Sequence, residues 1–151
     1  MKKALWGPLV WKVLHCIAIK IKDDEFSKER SHIIRMIIGI CSNLPCPQCT
    51  SHATSIIKRN RLKDVKSKNE LIRFIYLMHN IVNKRLKKKS YSFEDMHHYN
   101  ECNTKHVLSE YFTANVNAKF GEKMMLHSFH RKAFLNEFYN YFKKNISKFN
   151  Q

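Results

Sequence analysis

The sequence predicts an all-α protein built on a four-helix bundle. Apolar residues recur at three- and four-residue spacing along most of the chain, the period of a helix face. Only three glycines and three prolines occur in 151 residues, too few turn formers for a sheet of several strands. With 44% apolar and 12% aromatic residues, the chain has the material for one core, and its length suits a single compact domain.

The first helix is expected over Leu9–Ile21, with Leu9, Val10, Val13, Leu14, Ile17 and Ile21 on one stripe and Gly7 and Pro8 at its start, where proline's missing N–H costs little. Asp23 and Asp24 interrupt this pattern, and Ser27 opens a second helix. Its face is Ile33, Ile34, Ile37, Ile38, Cys41 and Leu44; the isoleucines would suit a strand, but the length favours a helix. Pro45 ends it. A third helix starts at Cys46, tolerates Pro47 in its first turn, and runs to about Lys58 with Cys49, Ala53, Ile56 and Ile57 on one face. After a basic link, Asn69 to Leu86 forms the fourth, carrying Leu71, Phe74, Ile75, Met78, Val82 and Leu86. Four such helices with short links describe a bundle. Ser92 then caps a short fifth helix whose first turn holds Glu94 and Asp95. Leu135, Phe138, Phe142, Ile146 and Phe149 define a C-terminal helical extension with lysines opposite.

The net charge is +16, which favours polyanions without specifying one. No run of about 18 apolar residues occurs, so no membrane span is expected. Lys12 interrupts the N-terminal apolar residues, which do not read as a signal peptide. The five cysteines, Cys16, Cys41, Cys46, Cys49 and Cys102, are too irregularly spaced for a disulfide scaffold. Cys16 and Cys41 fall on core-facing stripes and read as buried thiols.

The stretch CPQCTSHA, residues 46–53, holds one CxxC motif. A structural zinc site needs four ligands, commonly from two such motifs, and no second is present, so no metal is assigned. A thiol pair at a helix start fits redox chemistry better, because the helix dipole stabilises a thiolate there. Such a pair needs an electron acceptor, which points to a cofactor. Trp11 and His15 lie four apart on the first helix, as do His79 and Asn83 on the fourth. Each pair alone reads as core packing; together with the CxxC they make a candidate site. The alternative is a basic helical nucleic-acid-binding module, supported by the Lys-rich run after Leu86, with a structural or metal-binding CxxC.

Three blocks, WGPLVWKVLH (6–15), LPCPQCTSHA (44–53) and HNIVNKRLKKK (79–89), resemble the signatures of the FAD-linked sulfhydryl oxidases of the Erv/ALR family, in the same order and at similar intervals. Gly7, Trp11, Leu14 and His15 meet the first pattern, Cys46 and Cys49 the second, and His79, Asn80, Val82, Asn83 and Leu86 the third. The compact length and His52, three residues after the second cysteine, are most similar to the short viral branch, of African swine fever virus and poxvirus type.

The resemblance implies FAD bound at the bundle mouth, a homodimer, and residues 1–104 as the oxidase domain; residues 105–151 have no counterpart in it and are expected to form a helical extension packed on that domain or at a dimer interface. It implies that Cys46 exchanges with thiol-containing protein substrates and that Cys49 lies against the flavin, electrons then passing to O2 to give H2O2. The cofactor residues it implies are Gly7, Trp11, His15, His52, His79, Asn80, Val82, Asn83, Arg85, Leu86, Lys88 and Phe93. Trp11, His15, His79 and Asn83 would hold the adenine and ribose, Arg85 and Lys88 would meet the pyrophosphate, and Phe93 would stack beside the flavin. Nucleic acid is not required in this reading, and the expected setting is the host cytoplasm or the virion.

Overall fold

The computed structural model describes residues 2–118 and 125–151. Six α-helices account for most of them: α1 (Lys3–Lys20), α2 (Phe26–Ser42), α3 (Pro47–Arg59), α4 (Lys68–Arg85), α5 (Thr104–Val116) and α6 (Met125–Asn145). Short 3-10 segments cover Leu62–Asp64, Glu94–Glu101 and Ile146–Lys148. Extended pairing among the described residues is limited to an isolated antiparallel bridge between Ile21 and Phe149.

Helix α1 is the hub. Val13, Leu14, Cys16, Ile17 and Ala18 are consecutive or nearly so and all almost fully buried, so the helix is covered on every side rather than on one stripe. Helix α4 covers one side of it, and α5 with the segment Glu94–Glu101 covers another. The helix begins at Lys3, six residues before the expected start, so Pro8 lies inside it. Proline has no N–H, which removes the intrahelical donor for the Ala4 carbonyl. Ala4 is exposed in the first turn, where solvent takes the donor's place.

The starts of α3 and α4 follow their caps. The Cys46 sulfur accepts the Cys49 backbone N–H at 3.2 Å, making Cys46 the N-cap of α3. Ser67 Oγ accepts the Glu70 N–H at 3.1 Å while Glu70 accepts the Lys66 N–H at 2.8 Å, a reciprocal cap one residue offset from the usual box. At its far end α4 closes with Lys87 in the left-handed region at φ 57°. The Lys88 N–H reaches back to the Asn83 carbonyl at 2.8 Å, which turns the chain and places Lys88 over the end of the helix.

The sequence pattern placed residues 105–151 in a helical extension but marked no separate helix at 104–116. Asn103 caps it by accepting the His106 N–H at 2.9 Å, and its buried face is Thr104, Val107, Leu108, Tyr111 and Asn115. The spacing is helical, but two of the five are polar, which breaks the apolar stripe. Helix α6 is also longer than expected at its N-terminal end and stops at Asn145, where a 3-10 turn takes over. Leu135, Phe138, Phe142 and Phe149 are buried as patterned. Phe134 lies on Gly39 of α2, where any Cβ would fall inside its ring, so glycine is required in mid-helix for this approach. Tyr141 Oη and Lys148 Nζ both donate to Glu29, at 2.9 and 3.0 Å. Burial alone would raise the Glu29 carboxyl, but these two donors hold it below the usual range.

Candidate redox and cofactor site

Cys46 and Cys49 are joined as a disulfide, their Cα atoms 5.2 Å apart. The two sulfurs have different surroundings. Cys49 lines a cavity of about 770 Å³ enclosed by α1, α3, α4 and the segment Glu94–Glu101, whereas Cys46 lies outside its lining. Pro47, beside Cys46, is exposed. One end of the pair therefore faces the cavity, while the other, half-buried beside the exposed Pro47, lies outside its lining. As N-cap, Cys46 also has the Cys49 N–H aimed at its sulfur, which together with the helix dipole favours its thiolate.

The cavity is within the size range of small-molecule sites, about 300–1,000 Å³. Lys3, Lys12, Arg85 and Lys88 contribute to its wall and no carboxylate does, so the lining favours an anionic occupant. A Cβ added to Gly7, which also lines it, meets nothing within 4 Å. That leaves room for an occupant to approach the α1 backbone. Trp11 and His79 are stacked with ring centroids 3.9 Å apart and planes 5° from parallel, and Tyr91 and Tyr99 join the wall. These features suit an aromatic, phosphorylated cofactor.

The residues implied by the resemblance divide into two groups. Gly7, Trp11, Cys49, His52, His79, Val82, Asn83, Arg85, Leu86 and Lys88 come together around the cavity. His15, Asn80 and Phe93 are not part of its lining. His15 lies behind it, its Nε2 2.9 Å from His79 Nδ1 and its ring stacked on Tyr99 at 4.3 Å. Asn80 clamps the loop after α4, donating to the Tyr91 carbonyl and accepting the Tyr91 N–H, both at 2.9 Å. That clamp sets the backbone of Tyr91, which does line the cavity. Phe93, expected beside the flavin, instead packs edge-on against Tyr76 and His97 and remains exposed.

The sequence pattern missed Lys3, Lys12, Tyr91, His98, Tyr99 and Cys102, all of which line the cavity. Lys3 had a signal, since it precedes Gly7 and Trp11 at four-residue steps on one helix face. Tyr91 precedes, Tyr99 lies within and Cys102 follows the 3-10 segment Glu94–Glu101, whose turns carry no comparable period.

Burial sets the charge states here. Burial, then proximity to His79 and His98, lowers His15 to about 3. Burial, then Lys88 and His98, lowers His79 to about 4. His52 is lowered by burial first, then by Arg85, Arg59 and Lys3. Burial pushes the thiols of Cys16 and Cys41 up to about 11 and about 12, so both are protonated and poor nucleophiles at neutral pH.

A helical bundle that presents one sulfur of a CxxC disulfide to a cationic, aromatic-walled cavity is a thiol-redox protein built around a cofactor site. Residues 8–104 match the Erv1 / Alr family, and the chain belongs to that family. A protein of African swine fever virus named FAD-linked sulfhydryl oxidase is 36% identical over 90 residues, covering 60% of this chain and 75% of that protein. A protein of Invertebrate iridescent virus 3, provisionally given the same enzyme name, is 36% identical over 85 residues, or 56% of this chain and 57% of that one. A fowlpox virus relative is 29% identical over 80 residues, 53% of this chain and 80% of its own length. No solved structure matches the chain.

Proposed function

We propose that this protein is an FAD-dependent sulfhydryl oxidase that converts pairs of substrate thiols to disulfides and passes the electrons to O2. Family membership and the relatives' enzyme name support the class. The observation that carries the reading is the division of the disulfide, with Cys49 on the cavity wall and Cys46 outside it. The site residues are assigned on this basis.

A substrate thiolate attacks Cys46 Sγ, breaking the Cys46–Cys49 bond and releasing Cys49 as thiolate. The second substrate thiolate attacks the substrate sulfur of this mixed disulfide and releases Cys46 as thiolate, with the Cys49 N–H there to receive the charge. Two thiols have then become one disulfide, and the pair holds two electrons. When bound beside Cys49, FAD would supply the two-electron acceptor for this dithiol, with O2 as the final oxidant and H2O2 as its reduced product. Arg85 and Lys88 are assigned to the pyrophosphate, and Lys3 and Lys12 add charge of the same sign. Trp11 and His79 supply a stacked aromatic surface for the adenine. His15 fixes His79 through their ring–ring hydrogen bond, and Asn83 orients the turn after α4 by donating to the Lys89 carbonyl at 3.3 Å.

The substrates are taken to be proteins made in an infected cell, and the setting the host cytoplasm or the virion; the viral origin of the relatives supports this. No helix among the described residues is long and apolar enough to cross a membrane. A homodimer is proposed from the family likeness. The alternative, a basic helical nucleic-acid-binding module with a structural or metal-binding CxxC, draws no support from the family match or from the relatives. Oxygen consumption with dithiothreitol, together with the visible spectrum of bound flavin, tests the proposal. A colourless, inactive folded protein contradicts it.

A further inference from the structure

The first turns of α6 lie beyond the segment that matches the family, yet they reach back to the link that enters the CxxC. His127 Nε2 is 2.9 Å from the Leu44 carbonyl oxygen. A carbonyl only accepts, so Nε2 carries the proton. Arg131 Nε donates to the Asn43 carbonyl at 2.8 Å, and its guanidinium also holds Asn115 Oδ1 on α5. Asn115 in turn donates to the Tyr111 carbonyl at 2.8 Å, and Phe134 seats α6 on Gly39. Asn43 is the C-cap of α2, where carbonyls have no intrahelical donor. The two basic side chains supply those donors, and only Pro45 separates the bonded Leu44 from Cys46.

We propose that His127 and Arg131 are positioning residues for Cys46: the C-terminal segment holds the Asn43–Pro45 link in place and keeps Cys46 set against Cys49. The physical reason is conformational. A disulfide needs its sulfurs at one separation and angle, and a dithiol does not. Holding the chain that enters Cys46 removes freedom that only the dithiol would use, and so favours the disulfide. Freeing the link favours the dithiol. The inference rests on the oxidase reading only in taking Cys46–Cys49 as the reacting pair.

The test is an anaerobic equilibrium of the flavin-loaded full chain with glutathione buffers. Two glutathione thiols reduce the Cys46–Cys49 disulfide and leave as one glutathione disulfide, and the dithiol fraction is read by alkylation and mass. In His127→Ala and His127→Asn, whose side chains cannot reach Leu44, the equilibrium constant for reduction is expected to rise at least about threefold, the scale of one lost hydrogen bond. His127→Gln, which carries an amide donor at similar reach, is expected to restore the wild-type value. An unchanged constant in the Ala variant, or a change that Gln does not reverse, overturns the proposal. If wild-type protein binds no flavin and consumes no oxygen, the oxidase reading fails, while the comparison of constants still decides the role of His127.

Discussion

His15 and His79, 64 positions apart, meet in the core with Nε2 of one 2.9 Å from Nδ1 of the other. Only one proton can occupy that contact, so the arrangement requires at least one neutral ring. The rings are 2% and 4% exposed, and both are held neutral far below the ordinary histidine value, at about 3 and about 4.

This pair makes stability depend on pH. Between pH 6.5, the ordinary value, and the folded-state values, the unfolded chain binds protons that the folded chain excludes. Stability therefore rises with pH across that window; it is fully present above about 6.5 and is lost as pH falls. At pH 5 the loss from His15 alone is about 2 kcal/mol relative to neutral pH. The midpoint of thermal unfolding should fall between pH 7.5 and pH 5, and less steeply in His15→Asn. A flat profile in the wild type would contradict the buried neutral pair.

Gly7 and Gly39 should respond oppositely to substitution, although both sit within helices. Gly39→Ala forces a methyl group into Phe134 and should cost about 1–3 kcal/mol in chemical denaturation, despite alanine's better helix propensity. Gly7→Leu meets no protein atom near its Cβ, so the flavin-free chain should be unchanged or gain up to about 1 kcal/mol. Flavin content should nevertheless fall. Full flavin retention in Gly7→Leu would remove Gly7 from the cofactor site.

Arg85→Ala and Lys88→Ala should each raise the FAD dissociation constant about tenfold, the scale of a charge-assisted hydrogen bond. The loss should shrink as salt is added, because screening weakens the wild-type contact as well. Fluorescence titration of flavin-free protein reads both effects.

Lys87 sits at φ 57° directly after the α4 cap. Glycine reaches that region without penalty, so Lys87→Gly should stabilise the chain by up to about 1 kcal/mol in denaturant unfolding. Destabilisation would show that the lysine side chain makes an interaction outweighing its backbone strain.

The bundle was legible because its helices carry apolar residues at three- and four-residue spacing, and because Pro45 marks the break before Cys46. Three parts of the fold were not. The early start of α1 was hidden by Pro8, which normally marks a first turn but here lies where its missing hydrogen bond falls at the exposed Ala4. Helix α5 was hidden by Thr104 and Asn115, polar residues on its buried face that are satisfied by the Asn150 and Tyr111 carbonyls. The contacts of His127 and Arg131 with the link before Cys46 join residues more than 80 positions apart, and no local pattern records such pairings. At the site, motif residues fell around one cavity because three helices bring their faces together. Phe93 did not, because the Asn80 clamp presents Tyr91 there instead.

The central claim is that Cys46 meets the substrate and Cys49 meets the flavin. The most direct measurement mixes a substrate dithiol with the flavin-loaded protein without oxygen and follows the visible flavin absorbance, using wild type and Cys49→Ser. The account predicts bleaching in the wild type and none in Cys49→Ser, where the free Cys46 can bind substrate as a mixed disulfide under oxidative trapping but has no route onward. Bleaching at the wild-type rate in Cys49→Ser would contradict it.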